Sequence, residues 1–198
     1  MGARSAWRRH APTPRTTPQP ASWPAAAKAM RVVDLLGVIH QLTGGWPQRS
    51  GFASSRQLFT SDRGGDVHLD AMPHHAVEAI PGAWQPILQG PECAIHADVG
   101  AGNILVDDDA VAMLDWDEAR VDVPWFDYAS LPIQVQVPSP TDRERLITAG
   151  LAWEAATCWV VEPAYAARCL AELFQRLGHL PTLNPDRVVS FPCTATCC

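Results

Sequence analysis

Apolar residues recur at helical spacing in four stretches of this chain and alternate with polar turns in one short region between them. The first stretch, AAAKAMRVVDLLGVIHQL, begins near Ala25 and puts Met30, Val33, Leu35, Leu36 and Ile39 on one broad stripe, closed by Gly44 and Gly45. A loop with Trp46-Pro47 and SGFASSRQLF follows, and Gly64-Gly65 reads as a break. Residues 73 to 89 are helical around Val77, Ile80, Trp84, Ile87 and Leu88, with Pro81 and Pro86 limiting or kinking the run. Residues 141 to 161 and 163 to 178 complete the helical set, with Thr141 and Glu144 forming a capping box and Gly178 ending the last helix.

The β-like region lies between the second and third of these. Ile104 to Val106 and Val111 to Leu114 flank the polar turn Asp107-Asp108-Asp109, the pattern of a hairpin, and Cys93 to His96 is a further short strand. Residues 1 to 26 are rich in Arg and Pro, with prolines at 12, 14, 18, 20 and 24 that exclude helix and sheet, so a disordered or extended tail is expected. The body then runs from 27 to 180. Residues 181 to 198 have no period and form an irregular Cys-containing tail. No internal repeat is present.

Composition narrows the function classes. A chain of 198 residues, 47% hydrophobic, can build one domain with a real core. No apolar run approaches the roughly 18 to 20 residues that span a bilayer, so no membrane partner is expected. Arg4, Arg8, Arg9, Arg15, Lys28 and Arg31 gather at the start, and every one of the 21 acidic residues lies beyond them. An acidic body does not suit a nucleic-acid partner. It would suit a cationic small molecule, although an acidic surface also serves solubility. The six cysteines (93, 158, 169, 193, 197 and 198) come without an apolar signal core, which points to a reducing, cytoplasmic location. The terminal C-x3-C-C cluster lacks a fourth ligand at zinc spacing, and Cys93, Cys158 and Cys169 read as small core residues.

The chemistry is concentrated in residues 95 to 129, IHADVGAGNILVDDDAVAMLDWDEARVDVPWFDYA. His96-x-Asp98 is followed by Asn103, and Asp115 closes the hairpin. Phosphoryl transfer needs a carboxylate to orient an acceptor hydroxyl, and oxygen ligands for the metal ions that bridge the phosphates. Asp98 would take or orient the hydroxyl proton, while Asn103 and Asp115 would hold Mg²⁺. Gly100 and Gly102 would supply the unusual dihedrals that aim these side chains inward. Asp107 to Asp109 read as a solvated turn. Asp117 and Glu118 are open to a metal or substrate role, with a structural one favoured. His40, His68, His74 and His75 have no partner at metal spacing, and Trp116, Trp125, Trp153 and Trp159 are first of all core aromatics.

Two motifs, H-A-D-V-G-A-G-N-I-L-V at 96 to 106 and L-D-W-D-E-A at 114 to 119, resemble the aminoglycoside phosphotransferase (phosphotransferase enzyme) family. That family shares the H-x-D-x-x-x-x-N loop of protein kinases. Asp122, Pro124, Trp125, Asp127 and Ala129 fit its D-x-P-W-x-D-x-A stretch, and L-L-G-V-I-H-Q-L resembles the helix that opens its C-terminal lobe. The likeness covers about residues 30 to 178. It implies an α+β fold: the mainly helical C-terminal lobe of a protein-kinase-like enzyme, with a small β-hairpin at the catalytic loop. It implies ATP and Mg²⁺ as cofactors and a small-molecule hydroxyl acceptor as partner. In the roles it carries over, His96 braces the loop, Asp98 is the catalytic base, Asn103 and Asp115 bind metal, and Asp127 supports the loop.

Such enzymes also carry an N-terminal β lobe with a phosphate-covering loop, a strand lysine and a helix glutamate. The sequence shows none of these, and Lys28, the sole lysine, stands in an Ala-rich helix start. The expectation is a catalytic lobe whose N-terminal lobe is missing or separately encoded, and which is weakly active or inactive alone. The alternative is a non-catalytic small-molecule-binding or scaffold remnant.

Overall fold

A computed structural model describes residues 26–107, 110–139 and 141–179; all but Ala26 of the two expected tails, and most of the Asp107 to Asp109 turn, lie outside them. The first helix, α1 (Ala26–Leu42), buries Ala29, Val32, Val33 and Leu36. That is the i, i+3, i+4, i+7 face, rotated from the stripe read off the sequence, so Met30 is exposed. Thr43 ends the helix by donating its hydroxyl to the Ile39 carbonyl at 2.8 Å. Beyond a 3₁₀ turn at Gln57–Phe59, β1 (Arg63–Gly64) and β2 (Val67–His68) pair antiparallel. Gly65, at φ +60°, makes the turn between them, so the expected break is a hairpin.

Next, α2 (His74–Trp84) buries Ala76, Ile80, Ala83 and Trp84. Pro81 lies inside it, and the helix tightens into a 3₁₀ turn at Gln85–Ile87, as a residue without an N–H encourages. Strand β3 (Cys93–Ile95) follows, then the hairpin of β4 (Ile104–Val106) and β5 (Val111–Met113), then β6 (Arg120–Asp122). The expected hairpin is thus present, with Ile104 opposite Met113. The partner of β3 is β6, in antiparallel register with Ile95 opposite Arg120. Among the described residues the strands form only two-stranded pairs.

A short helix, α3 (Trp125–Ala129), leads to α4 (Arg143–Val161) and α5 (Pro163–His179). The start of α4 differs from the expected capping box. Asp142 is the N-cap, its carboxylate accepting the Arg145 N–H at 2.9 Å. Helix α4 packs against α2, α3 and α5. Its crossing with α3 is close: a Cβ on Gly150 would stand 3.0 Å from that of Ala129. Trp84, Phe126 and Trp153 form the aromatic heart of the core, with ring centroids 5.3 to 5.4 Å apart. Cys93 and Cys169 are buried there, and burial pushes the Cys93 thiol up to about 12. The fold is the mixed, mainly helical one expected. No helix among the described residues is long and apolar enough to cross a membrane.

Candidate functional site

The loop between β3 and β4 is organised by one buried carboxylate. Asp127, on α3, accepts the His96 N–H at 3.0 Å and the Ala97 N–H at 2.8 Å, one on each oxygen. Successive amides converging on an anion form a nest, and this one requires a left-handed residue. Ala97 supplies it, at φ 72°. The unusual dihedrals therefore do not fall on Gly100, which is extended at φ −93°, nor on Gly102; neither glycine has a positive φ. The third donor to Asp127 is His40 of α1, Nε2 to Oδ2 at 2.8 Å, and His40 in turn meets the Tyr128 hydroxyl at 3.4 Å. A histidine without metal partners in the sequence thus ties the first helix to the loop.

His96 is fully buried and joins the loop to the hairpin. Its Nδ1 accepts the Asp98 N–H at 3.3 Å, so Nε2 carries the proton donated to the Leu114 carbonyl at 2.7 Å. Leu114 also donates its N–H to the Asn103 carbonyl at 2.8 Å. Trp116 lies over the imidazole, ring centroids 4.6 Å apart. It is one of the exposed large side chains, so it is no core aromatic: it covers the site from the solvent side.

Asp98 is exposed and oriented by Asn103, whose Nδ2 donates to Asp98 Oδ2 at 2.6 Å and to its carbonyl at 3.1 Å. With the amide nitrogen so engaged, the oxygen of Asn103 remains for another partner. Asp115, one residue past the Leu114 anchor, has φ 60°. Its carboxyl is held above the usual range first by a hydrogen bond with Asp117 and then by the charges of Asp117 and Asp98. Among the described residues no cluster of three or more His, Cys, Asp or Glu side chains could hold a metal by itself. An amide oxygen with one or two mutually repelling carboxylates is nevertheless a donor set that fits Mg²⁺, which keeps waters and takes its other ligands from phosphate.

Behind Asp98 opens a pocket of about 170 Å³, lined by Ala97, Asp98, Arg120, Phe126, Trp153 and Glu154 among others. Glu154 reaches it from α4, on the same helical face as Ile147, Gly150 and Leu151. Burial raises its carboxyl above the usual glutamate range, and Tyr165 opposes that shift by hydrogen bonding. Glu118 is raised too, mainly by burial and by Asp66. The two carboxylates that line the pocket itself are Asp98 and Glu154. Arg49, stacked on Phe52 at 4.0 Å, fixes the segment after Asp115 by donating to the Asp117 and Ala119 carbonyls.

The structure thus brings His96, Asp98, Asn103 and Asp127 into one bonded network, with Asp115 joined to it through Leu114. Reading the sequence missed His40, Arg120 and Glu154. For Glu154 a signal exists: a carboxylate at i+7 from Ile147, on the apolar face of a core helix.

A loop aspartate held by an asparagine, an aspartate after a hairpin and a buried brace on the following helix are thus set in a mainly helical α+β lobe of kinase-like type. Residues 9–178 match the model of the phosphotransferase enzyme family, and the chain belongs to that family. The match begins ahead of the residues on which the motifs lie. No curated protein matches the chain closely enough to count as a relative.

Proposed function

We propose that this chain moves the γ-phosphoryl group of ATP to a hydroxyl of a small cationic acceptor. The observation that carries the reading is Asp98: an exposed carboxylate, oriented by Asn103, at the mouth of a pocket that holds a second, half-buried carboxylate, Glu154. Asn103 occupies Oδ2, so Oδ1 is the atom that would receive the acceptor's proton. The acceptor oxygen forms its bond to phosphorus as the bridging P–O bond breaks and ADP leaves. Glu154 would pair with an ammonium group on the acceptor and hold it in the pocket. Asn103 and Asp115 would hold Mg²⁺, which when bound neutralises phosphate charge. His40 and Asp127 keep the loop in place and touch no substrate.

One observation favours a second reading. The only lysine, Lys28, stands in the first turn of α1, and the strands among the described residues carry none to meet α- and β-phosphates. On that reading the pocket binds small cations without phosphorylating them. The test is ³¹P NMR of the full chain with Mg-ATP and a panel of amino alcohols and aminoglycosides. The first reading predicts a slowly growing phosphomonoester signal; acceptor binding without any such signal supports the second.

A further inference from the structure

The pocket contains a cation as well as acids. Arg120, on β6, is 3% exposed and lines the same pocket as Asp98 and Glu154. Its guanidinium lies 3.4 Å over the Trp153 ring, and its Nε donates to Asp122 Oδ2 at 3.1 Å. Asp122 has nothing more to give. Besides Arg120, its carboxylate takes the Ser55 N–H, the Ser55 hydroxyl and the Val123 N–H. Both terminal nitrogens of Arg120 are buried without a hydrogen-bond partner among the described residues. Glu154 lines the same pocket but forms no hydrogen bond or ion pair with them.

A buried guanidinium with its fork unmet is costly, and stacking on Trp153 serves only its face. The planar fork of arginine matches a carboxylate, which accepts two parallel N–H bonds. We propose that Arg120 is a specificity residue that receives a carboxylate of the acceptor. The acceptor is then a zwitterion, a hydroxylated amino acid: ammonium toward Glu154, carboxylate toward Arg120, hydroxyl toward Asp98. This rests on the acceptor-pocket reading above and narrows it, since amino alcohols without a carboxylate leave the fork unmet.

The test is calorimetric binding to the full chain without nucleotide, using matched pairs that differ by one carboxylate. Suitable pairs are serine and ethanolamine, homoserine and 3-amino-1-propanol, threonine and 1-amino-2-propanol. The expected result is at least one zwitterion binding about tenfold or more tighter than its partner, as a charge-assisted bidentate pair would give. Arg120→Lys keeps the charge and loses the fork, and is expected to shrink that ratio toward one. Equal affinities within pairs, or no binding by any zwitterion, would overturn the proposal, and this wild-type comparison stands even where the variant does not fold. Because no ATP is present, the preference can hold where phosphotransfer fails, and the converse result is equally readable.

Discussion

Ala97 sits at φ 72°, a conformation that costs an L-residue about 1 to 2 kcal/mol relative to its ordinary wells. The two amides bonded to Asp127 hold it there. Glycine adopts this φ freely but loses more chain entropy on folding, which returns part of the gain. Ala97→Gly is therefore expected to stabilise the protein by about 0.5 to 1 kcal/mol, read as a higher urea midpoint at unchanged slope. A loss of stability would show that the strain is not stored at this residue. The same position shows why the loop was only half legible. The H-x-D-x4-N spacing picks out the side chains that meet, but strain on an alanine leaves no trace in residue type. The two glycines invited the wrong assignment because glycine is permitted a positive φ without being obliged to use it. Arg120 was illegible for another reason: its environment depends on Trp153, which is distant in sequence.

At the scale of elements, the helices were the readable part, since apolar spacing over four or five turns survives small errors of phase. The stripe read from α1 includes Met30, yet the helix buries Val32 and leaves Met30 exposed, because spacing alone does not fix which flank of a broad apolar face meets the core. Strand β6 was invisible: three residues, one of them a buried arginine and one a buried aspartate, carry no alternation. Helix α4 supplies two predictions. With Asp142 as its cap, Asp142→Ala should cost about 1 kcal/mol in chemical denaturation, whereas Thr141→Ala should lie within about 0.5 kcal/mol of wild type. Equal losses at both positions would restore Thr141 as the cap. The second concerns Glu154, whose folded carboxyl is raised above its ordinary 4.5, chiefly by burial. A raised carboxyl favours the folded state while protonated, and that contribution is lost as pH climbs from the ordinary value through the folded one. Glu154→Gln removes the loss. Its stability relative to wild type should therefore rise as pH climbs above the ordinary 4.5, measured as paired urea midpoints; a gap that is constant or narrows contradicts the placement of this carboxylate.

Across the whole molecule, the bonded network runs from His40 on α1 through Asp127 on α3 to the Asp98 loop, and through His96 and Leu114 to Asp115. This gives the helical frame a direct role: three separate elements fix one exposed carboxylate. The acidic body read from composition finds a place in the same frame, since the charges of Asp98, Asp117 and Glu118 help to raise the carboxyls of Asp115, Glu118 and Glu154. A cation, whether metal or acceptor ammonium, relieves that repulsion. The role proposed for Asp98 is to take the acceptor proton during phosphoryl transfer. Its most direct test is the rate of acceptor phosphorylation by the full chain with Mg-ATP, comparing wild type with Asp98→Asn, which keeps the size of the side chain and removes its basicity. Slow transfer by wild type and a fall of about 100-fold or more in the variant are expected; a rate unchanged by the substitution would contradict that role.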